Sequence, residues 1–314
     1  MTQSSSNLQS INSRIQQRRA ALLAMRNSVR DQRLAGESGI ACCHWLSDQV
    51  DEFLCEIVAQ QQHANPHVSP TSYAVLAIGG NGRRRPAPFS DIDLLFLVDS
   101  KQHPATQKFL SAVVRDCWDA GAQPGSSIRT IADVIRFASS DIQFATSLIE
   151  TRFLCGHEQL AESAVQQIRA RIFSERAERM IQRIVASRRE EWITRGNSVN
   201  QLEPDLKRSP GGLRDLHLLR WVSFIRYHKP DPEELQLRGD ISKQELDDLL
   251  QADEYLSALR TDLHSLTNLK QNVMTRELQL QLAELRGIQS AGQFRAVEAF
   301  MQEYFSNTSR VAAV

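Results

Sequence analysis

The chain has 314 residues, 41% hydrophobic and 24% charged, with 37 Lys and Arg against 37 Asp and Glu. That length suits two domains of ordinary size, and the zero charge balance excludes a chain-wide positive field for bulk nucleic acid or an anionic membrane. No apolar run approaches the roughly 18 residues of a membrane span, the first residues lack a secretory apolar core, and the five cysteines lack CxxC spacing, so a reducing, cytoplasmic location is expected.

Residues 1–30 contain Ser, Gln and Arg but no acid. This is a faint transit-peptide composition, read here as a frayed start into a helix at 11–29. Residues 39–62 place Ile40, Trp45, Leu46, Val50, Phe53, Leu54, Ile57 and Val58 at helical spacing. After a break rich in His, Asn and Pro at 63–70, residues 73–78 and 92–98 read as strands, 104–120 as a helix, 127–130 as a third strand and 141–153 as another helix. Past Gly156 the texture changes. One long helix is expected over 157–192, then an irregular stretch over 195–215, then helices over 213–227, 243–269, 275–285 and 292–310. The first half is therefore mixed and the second nearly all helical, with a boundary near residue 155.

The stretch AIGGNGRRRPAPFSDIDLLFLVD (77–99) carries the chemistry. Alternate strand residues share a face, so Asp91 and Asp93 project together, with Cα atoms about 7 Å apart, and Ile92 points the other way. Two carboxylates that close repel unless a cation lies between them, and magnesium takes one or two carboxylates together with substrate phosphates. Gly79-Gly80, a dozen residues earlier at the end of the preceding strand, let backbone approach a ligand, and exposed N–H groups in such turns cradle phosphate. Arg83, Arg84 and Arg85 are candidate charge partners. Each feature alone has a plain structural reading: a turn, a capping pair, a solvated loop. On adjacent strands at a fixed offset they describe phosphoryl or nucleotidyl transfer.

The segment GGNGRRRPAPFSDIDLL resembles the polymerase-β-like nucleotidyltransferase superfamily, and more narrowly the protein-PII uridylyltransferase/uridylyl-removing enzyme family of bacterial nitrogen control. LEPDLKRSPGGLRDLHLLRW (202–221) is similar to a second signature of that family, and LHSLTNLKQNVMTRELQLQLAELRGI with EAFMQEYF more diffusely resembles its helical segment. The resemblance covers roughly 70–310. It implies an α+β fold, a polymerase-β-like nucleotidyltransferase domain with a small mixed sheet followed by an all-α helical domain. The expected division is 1–38 helical extension, 39–155 nucleotidyltransferase domain and 156–314 helical domain. It implies a magnesium-dependent enzyme that moves UMP from UTP to a tyrosine of PII and releases pyrophosphate. Asp91 and Asp93 would hold Mg2+ and act as catalytic carboxylates. Gly79, Gly80, Gly82 and Arg83 would receive the triphosphate, and Ser90 would brace the aspartates or cap a turn. A related transferase with another nucleotide or acceptor, or an inactive nucleotide-sensing module, remains the alternative.

Three features depart from that pattern. The superfamily adds a third carboxylate on a later strand, but SSIRT (126–130) has no acid. Glu150 is the candidate substitute metal ligand, against a helix salt bridge. Arg84-Arg85 stand where the family often has a small residue and an acid. No His-Asp dipeptide, the mark of the family's phosphohydrolase domain, occurs anywhere, so uridylyl removal is not expected from this chain, which is either an excised piece or a short form.

SPGGLRD (209–215) reads as a loop entering a helix, where free N–H groups of Leu213, Arg214 and Asp215 would favour an anion. Lys207 and Arg214 are then candidate nucleotide contacts, and the competing reading is domain glue through structural ion pairs. Cys42-Cys43-His44 lacks zinc spacing, His63 and His67 are separated by Pro66 and read as loop, and Trp45, Trp118, Trp192 and Trp221 read as core.

Overall fold

The computed structural model describes residues 2–100, 103–174, 177–194, 196, 198–290 and 295–314, with side chains from residue 12 onward. The chain divides into two compact units, Met1–Gln32 with Cys43–Ile172, and Arg33–Cys42 with Phe173–Val314.

The first unit holds most of α1 (Thr2–Leu34) and α2 (Gly39–Ala64). It continues through β1 (Tyr73–Ala77), the single turn α3 (Gly79–Gly82), β2 (Ile92–Val98), α4 (Pro104–Asp119), β3 (Pro124–Arg129), α5 (Ile131–Ser140), α6 (Ile142–Ser147), β4 (Arg152–Gly156) and α7 (Glu158–Ile168). The four strands form one sheet in the order β3-β2-β1-β4. β2 runs parallel to β3, and β1 is antiparallel to both β2 and β4. The sheet is small and mixed, and the architecture is α+β.

Local sequence accounts for the centre of this sheet. All of β1 is buried, as is β2 apart from Asp93, as continuous apolar strands covered on both faces must be. β3 and β4 are the edges: β3 opens on Pro124, tolerated at a strand start, and its Gly125 and Ser126 are exposed. Arg18 of α1 bonds Asp116 of α4 at 2.8 Å and Gln60 of α2 at 2.7 Å, joining three helices of this unit.

β4 corrects the expected helix over 141–153. Asp141 caps α6, accepting the Phe144 N–H at 2.9 Å, but that helix closes at Ser147, and 152–156 pairs with β1. Cross-strand pairing outweighs local pattern in a short segment. Because β4 spans residue 155, the first unit continues past the expected boundary. The single helix expected over 157–192 is α7, π-helical turns over Arg169–Ser174, and a separate α8 from Ala177. Trp118 is 54% exposed rather than core.

The second unit carries α8 (Ala177–Thr194), α9 (Leu213–Tyr227), α10 (Pro232–Leu237), α11 (Lys243–Thr267), α12 (Arg276–Leu285) and α13 (Ala296–Ala313), with one isolated bridge between Asp205 and Val273. The start of the helix expected over 292–310 lies outside the described residues. Ser242 and Glu245 close a capping box at the start of α11. Leu256, Leu259 and Leu263 of α11, Leu282 of α12 and Phe300 and Tyr304 of α13 form the core with Leu206, Leu213 and Leu216. Arg33 and Arg286 both donate to Asp262, at 2.9 and 3.0 Å.

Candidate functional site

The glycine turn and the aspartate strand meet at the end of β1. The Ile78 N–H donates to the Asp93 carbonyl at 3.1 Å, and the chain then enters α3 through Gly79 at φ +56°, a left-handed conformation that disfavours a side chain. A Cβ added to Gly79 would stand 2.8 Å from Asp93 Oδ2. On the other side Gly125, the β3 register partner of Asp93, would bring a Cβ to 3.2 Å from Oδ1. The Asp93 carboxylate therefore lies against two bare α-carbons. Gly80 has open space where its Cβ would be, so its backbone is approachable. Gly82 differs: a Cβ there would lie 2.1 Å from the Glu150 carbonyl oxygen, which makes it a packing glycine rather than one that leaves room for phosphate.

Asn81, absent from the sequence expectations, organises this corner. It is 2% exposed, and its Oδ1 accepts the Asp93 N–H at 3.1 Å, ending the β2 backbone on a side chain. Its own carbonyl accepts Arg152 Nη2 at 3.1 Å. Arg152 in turn holds Asp51 of α2 at 2.6 Å and Ser47 Oγ at 3.2 Å. Burial pushes the Asp51 carboxyl up, against the downward pull of Arg152. A polar residue between two loop glycines was the only sequence signal for Asn81, and it does not by itself identify a buried acceptor.

Burial alternates along 91–93: Asp91 and Asp93 are half-buried and Ile92 is 6% exposed, the pattern of two carboxylates on one face and an apolar anchor on the other. Ser90 caps the preceding turn, its Oγ accepting the Ala87 N–H at 3.0 Å. Glu150 pairs with Arg83 at 3.5 Å, with both side chains under 10% exposed. Among the described residues no three His, Cys, Asp or Glu are arranged to hold a metal ion, so Glu150 does not complete a three-carboxylate cluster with Asp91 and Asp93. Arg84, at φ +59°, pairs with Asp48 on the surface, and the Arg85 N–H returns to the Gly80 carbonyl at 2.9 Å.

In the second unit SPGGLRD is a closed knot. The N–H groups of Leu213, Arg214 and Asp215 donate to the carbonyls of Leu206, Lys207 and Gly212 at 3.0, 2.9 and 2.9 Å, so the expected free anion-binding donors are already used. Asp215 accepts from Gly211 N at 2.7 Å and from Arg188 Nε at 2.5 Å, both deep in the unit. Arg188 also binds the carbonyls of Arg208 and Ser209. Gly211, at φ +77°, would bring a Cβ to 2.0 Å from the Thr308 carbonyl oxygen. The Lys207 and Arg208 N–H groups both donate to Asp205 Oδ1, and the Arg214 guanidinium lies 5.6 Å from the Trp221 ring centre. These contacts fix the loop to its own unit.

Residues 177–314 match the family described as GlnD PII-uridylyltransferase. A bifunctional uridylyltransferase/uridylyl-removing enzyme of Ruegeria pomeroyi is 35% identical over 270 residues, which is 85% of this chain and 29% of that protein. Proteins of the same name from Caulobacter vibrioides and Azospirillum brasilense are 32% and 31% identical, each over 91% of this chain and 31% of their own length. The chain thus spans less than a third of these relatives, and the alignments take in most of its length, the glycine turn and aspartate strand region included. On this shared sequence, and on the two motifs that fold as described, the chain belongs to the PII-uridylyltransferase family.

Proposed function

We propose that the first unit is a polymerase-β-like nucleotidyltransferase domain that works in the cytoplasm and transfers UMP from UTP to a tyrosine hydroxyl of PII, releasing pyrophosphate. The observation that carries the reading is the seating of the Asp93 carboxylate between Gly79 and Gly125, beside the open backbone of Gly80. The donor set suits magnesium: Asp91 and Asp93 offer hard carboxylate oxygens, the ligands Mg2+ prefers when phosphates complete its shell. Bound there, the ion would neutralise phosphate charge and align an in-line attack.

The protein's own groups do the positioning. The Asn81 amide oxygen fixes the backbone at Asp93, and Ile92 anchors the strand in the core. The Gly79–Gly80 backbone accepts the triphosphate where a side chain would intrude. Arg83 is held beside the turn by Glu150, which keeps a guanidinium near the phosphates.

Purified chain with magnesium, labelled UTP and PII should label PII, and Asp91→Asn or Asp93→Asn should abolish labelling. An Asp93→Asn variant with full activity would sink the metal assignment; unlabelled PII with bound nucleotide and an intact fold would sink the transfer assignment. The pairing of Glu150 with Arg83, with no third carboxylate beside the aspartates among the described residues, favours as a second reading a nucleotide-sensing module, for which UTP binds and no pyrophosphate appears. Parallel assays with ATP, CTP and GTP separate a related transferase from both.

A further inference from the structure

Cys55 of α2 donates its thiol to the backbone of β4 at Leu154, the residue next to Cys155, and both cysteine side chains are half-buried rather than sealed in the core. A strand irregularity brings them together. β1 pairs with β4 as Val75 to Cys155 and then Leu76 to Phe153, so Leu154 is an extra residue, a β-bulge whose carbonyl leaves the regular ladder. That carbonyl lies 3.6 Å from Cys55 Sγ. A second clamp holds the same two elements: Asp51, one helical turn before Cys55, grips Arg152, three residues before Cys155, at 2.6 Å.

We propose that Cys55 and Cys155 form a redox modification site that closes to a reversible disulfide in the presence of a peroxide. In the first step the Cys55 thiolate attacks one oxygen of hydrogen peroxide. The S–O bond forms, the O–O bond breaks, and the departing hydroxide takes a proton to become water. The Cys155 sulfur then attacks the Cys55 sulfenic acid, the S–S bond forms, and the hydroxyl leaves as a second water with the Cys155 proton. Two thiols lose two electrons and two protons, and the peroxide is reduced to two waters.

The two thiols are unequal in the sense this order needs. The neighbouring Cys155 thiol holds the Cys55 thiol below its usual range, while Cys55 and burial push Cys155 up, leaving Cys55 the nucleophile and Cys155 the resolving partner. The remaining cysteines are poor competitors. Cys42, Cys43 and Cys117 are buried, and burial pushes the Cys117 thiol up to about 12. The site stands independently of nucleotide transfer.

The test uses the full chain, reduced, then treated with stoichiometric hydrogen peroxide. The accessible thiol count under denaturing conditions should fall by two from the five present, peptide mapping should find Cys55 linked to Cys155, and dithiothreitol should restore both. The oxidised protein should melt at a higher temperature than the reduced one, because the cross-link closes a long loop. Cys155→Ser should stop at a sulfenic acid on Cys55, trapped by dimedone, and Cys55→Ser should lose fast peroxide consumption. Disulfides to other cysteines, equal oxidation in Cys55→Ser, or both thiols surviving peroxide intact would each overturn the assignment.

Discussion

A Cβ added to Gly79 would stand 2.8 Å from the Asp93 Oδ2, although the two residues lie on different strands' ends. The glycine turn and the aspartate strand are thus one fitted unit, and neighbouring glycines should respond differently to the same change.

Gly79→Ala forces a side chain into a left-handed conformation, at a cost of about 1–2 kcal/mol, and into the Asp93 carboxylate. Thermal melting should fall and, under the transferase reading, UMP transfer should be lost. Gly80→Ala meets open space, so its melting temperature should match the parent while, under the transferase reading, UTP affinity drops. Equal melting losses for the two variants would contradict the geometry.

Asn81→Ala removes the acceptor of the Asp93 N–H in a buried place. Leaving that donor unsatisfied should cost about 1–3 kcal/mol in urea unfolding. Under the transferase reading kcat should fall more than KM rises, because Asn81 sets the aspartate's position and does not touch nucleotide.

In the second unit Asp215→Ala strands the guanidinium of Arg188, which is 5% exposed. Breaking one partner of a buried pair costs about 3–5 kcal/mol. Denaturant unfolding should show a loss of that size for Asp215→Ala and a smaller one for Asp215→Asn, which keeps an acceptor for the Gly211 N–H.

His264 is fully buried in α11. Burial first, then the nearby Arg260 charge, push its pKa down to about 2 from an ordinary 6.5. The unfolded chain therefore binds a proton that the folded chain refuses. The stability this histidine contributes is complete above pH 6.5 and declines as pH falls toward 2, by up to about 1.4 kcal/mol per pH unit for one proton. Unfolding free energy measured from pH 7 to 4 should show this decline, and His264→Asn should flatten it.

Much of the fold is legible in the linear pattern. The apolar runs at 73–77 and 92–98 have no periodicity a surface helix would need, and they became the two central strands. Helices α9, α11 and α12 begin within a residue of where the apolar spacing places them, whereas the short α10 was not expected. β4 was not legible, because RFLCG has no strong strand signature and becomes a strand only by pairing with β1 through the Leu154 bulge.

Sequence by itself determined the chemistry on offer: two acids with an isoleucine between them at a strand mouth, glycines at the end of the strand before it, and the motifs that match the family. These follow from strand alternation and glycine's missing Cβ, both local properties. Only the tertiary structure decided what each residue does with that chemistry. It separated Gly79 and Gly125, which flank a carboxylate, from Gly82, which packs on the Glu150 carbonyl, and gave Asn81 its role. It also paired Glu150 with Arg83 and used the SPGGLRD donors internally. Those outcomes depend on which distant backbone comes within 3 Å, and hydrogen-bond partners and close packing between segments far apart in sequence leave no trace in the spacing of residues along the chain.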